Sequence, residues 1–132
     1  MKQALIKSES RYPVNRKKIR QKVKEIFKAK KITGETEVSI AVVGDRKMKT
    51  LNEKYRSKEG TTPVLSFSLD DHKKRQFPMT FSSPDHVLRL GDIVISFPQA
   101  VQMAADEEKL VDDKINELVE HGMGKLLGEE HR

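Results

Sequence analysis

Apolar positions along the chain change period in a way that sorts helices from strands. Ile19, Val23, Ile26 and Phe27 recur at helical spacing, which leaves the basic residues between them on the other face. Asn15 suits the N-cap, and Val14 with Ile19 makes a hydrophobic staple, so the spacing predicts a helix over 16–32 with Gly34 beyond its end. Residues 3–8 read as a short first strand, closed off by Pro13. The β-branched, roughly alternating run Val38-Ser-Ile-Ala-Val-Val43 predicts a second strand. Asp45 is placed to cap a second helix, in which Met48, Leu51 and Tyr55 share the buried face and Arg56 comes last.

Residues 58–63 read as a turn and 64–67 as a strand, with Pro63 suited to its first position or to a sheet edge. An irregular polar loop over 69–86 carries Phe77, Pro78, Phe81 and Pro84, with His72 and His86 facing solvent. The last strand, 87–96, is broken at Gly91, and Ser96 with Pro98 opens a helix through about 105. A final helix from about 112 buries Ile115, Leu118, Val119, Met123, Leu126 and Leu127. Glu117, His121 and Lys125 then step along one flank of its apolar face, at the edge of the core and facing a cleft. The chain thus alternates strands and helices within a single domain over 1–132.

Composition narrows the chemistry. The chain has 132 residues, enough for one core but not two, and no internal repeat. No apolar run approaches the roughly 18 residues of a membrane span, and the first residues are too short in apolar content for a secretory signal, so no membrane partner and a cytoplasmic location are expected. Cysteine is absent, which excludes disulfides and thiolate sites and leaves His and carboxylates for any metal. The net charge of +6 is uneven: ten Lys or Arg against one Glu from Arg11 to Lys31, but nine acids against three lysines from Asp106 to His131. A basic helix carrying Lys17, Lys18 and Lys22 suits a polyanion such as nucleic acid, or is simply a solvated face.

The C-terminal stretch His121-Gly-Met-Gly-Lys-Leu-Leu-Gly-Glu-Glu-His131 has the spacing of the zinc-hydrolase pattern H-x-x-x-H-x-x-G-x-x-H. His121 and His131 occupy ligand positions, whereas Lys125 stands at the second ligand and Gly122 where a zinc protease has its general-base Glu. Deprotonating a lysine of pKa about 10.4 at neutral pH costs roughly 4–5 kcal/mol, so Lys125 is a poor ligand. Glu117, one turn before His121, is a possible substitute, and the metalloprotease reading ranks last because Gly122 offers no base.

Four segments in order resemble the YbeY family of metal-dependent endoribonucleases. Leu51-Asn-Glu-Lys-Tyr-Arg56 looks like its L-N-x-x-Y-R, Thr62-Pro-Val-Leu-Ser-Phe67 like T-D-V-L-S-F, Leu90-Gly-Asp-Ile-Val-Ile-Ser96 like L-G-D-I-V-I-S, and His121 to His131 like H-G-x-L-H-L-x-G-Y-D-H. The resemblance implies an α/β (α+β) fold with a small mixed sheet of about four strands packed with helices, a zincin-like metal helix near the C-terminus, and zinc held by histidines, here His121 and His131. It implies cleavage of single-stranded RNA in rRNA processing and ribosome quality control, with ribosomal RNA and ribosomal proteins as partners. Arg56 matches the arginine that contacts RNA phosphate and, with His121, is the candidate catalytic residue; its plainer reading is a cap on its own helix. Lys125 and Pro63 depart from the family pattern. They leave two classes of function open, a metal-dependent endoribonuclease and a catalytically weakened RNA- or ribosome-binding module in which Lys125 contacts phosphate. Asp92 is expected to orient neighbouring backbone.

Overall fold

The two most β-branched stretches of the chain become the two central strands. The computed structural model describes residues 2–9, 11–32, 34–56, 60–68 and 87–128. Within them run β1 (Lys2–Ser8), α1 (Arg16–Ala29), β2 (Thr36–Val43), α2 (Asp45–Arg56), β3 (Val64–Ser68), β4 (Leu88–Ser96), α3 (Phe97–Glu107) and α4 (Val111–Leu126). The sheet order is β1-β2-β4-β3, with β1, β2 and β4 parallel and β3 antiparallel at the edge, next to Pro63. The fold is thus the expected small α/β domain with a mixed four-stranded sheet.

Alternation along the strands sends side chains to two faces. On one, Val38, Ile40, Ile93 and Ile95 meet the α1 stripe of Ile19, Val23, Ile26 and Phe27 and the α4 stripe of Ile115, Leu118, Val119 and Met123. On the other, Val43, Leu65 and Val94 are covered by Met48, with Leu51 and Phe67 packed beside it. Each such fully buried side chain contributes about 1.5–3 kcal/mol.

Local signals act largely as anticipated. Asn15 accepts the Lys18 amide at 3.0 Å, and Ser96 accepts that of Gln99 at 3.3 Å. Four details differ. α1 ends at Ala29 rather than near 32, because Lys31 turns left-handed (φ 58°) and the amides of Lys31 and Ile32 close onto Lys28 and Phe27. Gly44, whose carbonyl accepts the Met48 amide, takes the cap position of α2, which leaves Asp45 for tertiary contacts. Tyr55 is not on the buried face but 52% exposed, edge-on to Phe67. β4 is continuous, because a bulge absorbs Gly91: Glu37 pairs with Arg89 but Ser39 with Asp92, one extra residue on β4. Gly91 adopts φ +142°, and a Cβ there would lie 2.2 Å from the Phe67 carbonyl oxygen. The expected turn at 58–63 is described only from Gly60 onward, and the 69–86 loop with His72 and His86 lies outside the described residues.

Candidate functional site

α4 carries the C-terminal motif, and glycine sets how close it comes to the sheet. A Cβ at Gly122 would stand 2.9, 3.0 and 3.1 Å from Cγ2, Cγ1 and Cδ1 of Ile93 in β4. Ser66 of β3 also donates its hydroxyl to the Gly122 carbonyl at 3.4 Å. The position is filled by close packing, so a general-base glutamate has no room there. The flank expected to face a cleft is instead open to solvent at His121 and Lys125. His131, with Glu129 and Glu130, lies outside the described residues.

Glu117, the substitute ligand, is already occupied. Its Oε1 accepts from Lys114 Nζ at 3.1 Å and its Oε2 from Lys109 Nζ. The Lys109 ammonium, then that of Lys114, holds its carboxyl below the ordinary value of 4.5. Lys114, only 6% exposed, also donates to both oxygens of Glu107 at 2.8 and 3.0 Å. This four-residue cluster ties α3 to α4, and a metal would have to take the Glu117 carboxylate from two ammonium groups. Among the described residues no three His, Asp or Glu side chains are grouped to hold a metal ion. An exposed imidazole, an ammonium and an ion-paired carboxylate do not fit the tetrahedral donor set of zinc.

Arg56 closes α2 as its last residue, and its side chain lies outside the described residues. The basic helix divides into two. Lys18 and Lys22 turn toward acidic α4, with Nζ 3.0 Å from Asp113 Oδ1 and 3.3 Å from Glu120 Oε1. Lys17, with Arg20 and Lys24, instead lines a groove of about 690 Å³ between α1 and β1, floored by Ala4, Val23 and Phe27. The charge asymmetry of the sequence is therefore partly an internal attraction between two helices and partly an exposed basic surface.

Sequence reasoning missed a polar hub. Asp45 Oδ1 accepts from Gln99 Nε2 at 2.8 Å, Thr61 Oγ1 at 2.9 Å and Ser96 Oγ at 3.2 Å. These bonds, that from Gln99 foremost, hold the carboxyl below its ordinary value of 3.8. They pin the start of α2 to the end of β4 and to the turn before β3. The signal was confined to one acid after a Gly at a strand end, which also describes an ordinary helix cap. The side chain of Asp92, expected to orient backbone, makes no hydrogen bond or ion pair among the described residues and lines a cavity on the α2 side of the sheet.

Comparison with known proteins agrees with this fold. The family model described as Endoribonuclease YbeY matches residues 5–132. Proteins named Endoribonuclease YbeY from Moorella thermoacetica and Syntrophomonas wolfei are 37% and 33% identical over 103 and 106 residues, covering 78% and 80% of this chain. One from an Anaeromyxobacter species is 35% identical over 97 residues, 74% of this chain. This chain's matched part spans 65%, 67% and 45% of those three relatives respectively. The solution structure of TM1509 from Thermotoga maritima shares the fold at a TM-score of 0.58 and 21% identity, over 98% of this chain and 75% of that one. The chain belongs to the YbeY family.

Proposed function

We propose that the protein is an endoribonuclease acting on single-stranded RNA in rRNA maturation and ribosome quality control, with ribosomal RNA and ribosomal proteins as its partners. The observation that carries this reading is the family match over residues 5–132, to proteins named for that activity. The exposed basic groove of Lys17, Arg20 and Lys24 supports it, since such a surface attracts a phosphate backbone. Arg56, at the end of α2, serves as a charge partner for the phosphodiester and for the negative charge that develops on it during cleavage. His121 and Lys125, one turn apart and both exposed, add an imidazole and an ammonium that reach the same phosphate.

Zinc is the metal that the family resemblance brings, with His121 and His131 as its ligands. Lys125 at the second ligand and the ion pairs of Glu117 leave that donor set incomplete, so only binding and positioning roles fall to these residues. The same two observations favour a second reading, a catalytically weakened RNA- or ribosome-binding module in which Lys125 is a phosphate contact.

Metal content and cleavage of a single-stranded rRNA fragment, measured on the native chain and on Lys125→His, separate the two. The native chain is expected to purify with well under one zinc per molecule. The variant should approach one, with chelator-sensitive cleavage that appears or increases. Stoichiometric zinc in the native chain would overturn the argument from Lys125 and move the search for ligands to Glu129 and Glu130. Native cleavage equal to that of the variant would exclude the weakened module.

A further inference from the structure

On the α2 side of the sheet one row of residues crosses all four strands: Leu5 opposite Ser39, Ser39 opposite Asp92, Asp92 opposite Phe67. Neighbouring strands lie about 4.8 Å apart, so the row spans about 14 Å, long enough to take a nucleoside. α2 covers the adjoining row with Met48 and Leu51 but leaves this one open. With Leu51 and Tyr55 the row encloses a cavity of about 530 Å³, with Lys7 at its border.

The lining is unusual for a surface left over from folding. Tyr55 and Leu5 are 52% and 41% exposed, although both are large and apolar. The Tyr55 ring meets Phe67 edge-on, with centroids 5.5 Å apart at 73°, and Lys54 Nζ lies 5.3 Å from its centre. The bulge at Gly91 brings Asp92 into this row, and neither the Asp92 nor the Lys7 side chain has a hydrogen-bond or ion-pair partner among the described residues.

We propose that this cavity binds one nucleotide of single-stranded RNA by its base, which stacks on Tyr55 while the Asp92 carboxylate accepts hydrogen bonds from the base edge. The proposal rests on the RNA reading above and adds to it a base-reading site, on the face of the sheet opposite α4. An aromatic face stacks any base. A carboxylate repels phosphate, so the base rather than the backbone enters, and Lys7 and Lys54 at the rim take the flanking phosphates. A carboxylate accepts from the exocyclic amino group of cytosine and opposes the carbonyl oxygen that uracil presents in its place. Leu5 also borders the groove of Lys17, Arg20 and Lys24, so a strand rounding the β1 edge joins the two surfaces.

The test is fluorescence polarisation with labelled oligo(C), oligo(U) and an abasic ribose-phosphate strand of the same length, using the full chain. Oligo(C) should bind roughly five- to a hundredfold more tightly than the abasic strand, the range for loss of one stacked base. Tyr55→Ala should bring oligo(C) to the abasic level without changing abasic binding. Asp92→Asn, which keeps shape and removes charge, should erase the preference for oligo(C) over oligo(U). If the native chain binds abasic and base-bearing strands alike, the cavity reads no base, although the RNA reading stands. If the Tyr55 and Asp92 variants weaken all three strands equally, their role is structural and the proposal fails. If no strand binds even at low salt, the RNA reading fails and takes the proposal with it.

Discussion

Gly122→Ala should destabilise the protein, against the sign that helix propensity alone gives. In an isolated helix the change from Gly to Ala is favourable by about 1 kcal/mol. Here the new methyl would meet Cγ2, Cγ1 and Cδ1 of Ile93 at 2.9–3.1 Å. Ile93 is fully buried in a central strand and β-branched, so no rotamer takes all three atoms away. Forcing a methyl into a packed core costs about 1–3 kcal/mol, which leaves a net loss of about 1 kcal/mol. For a domain of this size that lowers the thermal midpoint by roughly 3–6 °C. The assay is urea unfolding followed by circular dichroism, for Gly122→Ala alone and in an Ile93→Ala background. The background removes all three clashing atoms, so there the alanine should become neutral or stabilising, and the two effects should be strongly non-additive. A raised midpoint for Gly122→Ala in the native background would refute close packing at this position, and with it the steric exclusion of a general base.

Two further outcomes follow from the electrostatics. Glu107 and Glu117 are held below 4.5, chiefly by Lys114 and Lys109 respectively, while Lys109 and Lys114 are raised above 10.5, chiefly by Glu117 and Glu107. Depressed acids stabilise the fold above their unfolded value and lose that contribution as pH falls through the folded one; raised lysines contribute below 10.5 and lose it as pH rises through theirs. The stability gap between the native chain and Lys114→Gln should therefore be flat between about pH 5 and 10 and close on both sides, and urea midpoints that keep the gap well below pH 4 would contradict the cluster. For RNA, Lys17→Glu with Arg20→Glu should flatten the log-log salt dependence of binding by about 0.7 for each phosphate that the protein no longer neutralises. Lys18→Glu should change that slope less, because its ammonium already faces Asp113, and equal slopes for both variants would count against the divided helix.

What local sequence determines here is whatever depends on neighbours along the chain. The stripe of Ile19, Val23, Ile26 and Phe27 and the caps Asn15 and Ser96 are each visible in a window of a few residues, and the structure keeps them. The family was legible for a related reason: its four motifs are short, ordered and contiguous. The mixed sheet came with that family resemblance, since α2 divides β2 from β3 and yet the two strands run in opposite directions.

Everything decided by pairing across the chain was out of reach. Tyr55 has the spacing of a buried residue, but α2 ends beyond the row it covers, which leaves the ring exposed. Asp45 looks like a cap, and only the arrival of Thr61, Ser96 and Gln99 gives its carboxylate other work. Lys18 and Lys22 look like solvated charges until α4 sets Asp113 and Glu120 beside them. Glu117 has ligand spacing, yet Lys109 and Lys114 reach it first. The physical reason is the same throughout: helix and strand periods are short-range properties of the backbone, whereas the partner of a charge or of a glycine's missing Cβ is chosen by tertiary packing between distant segments.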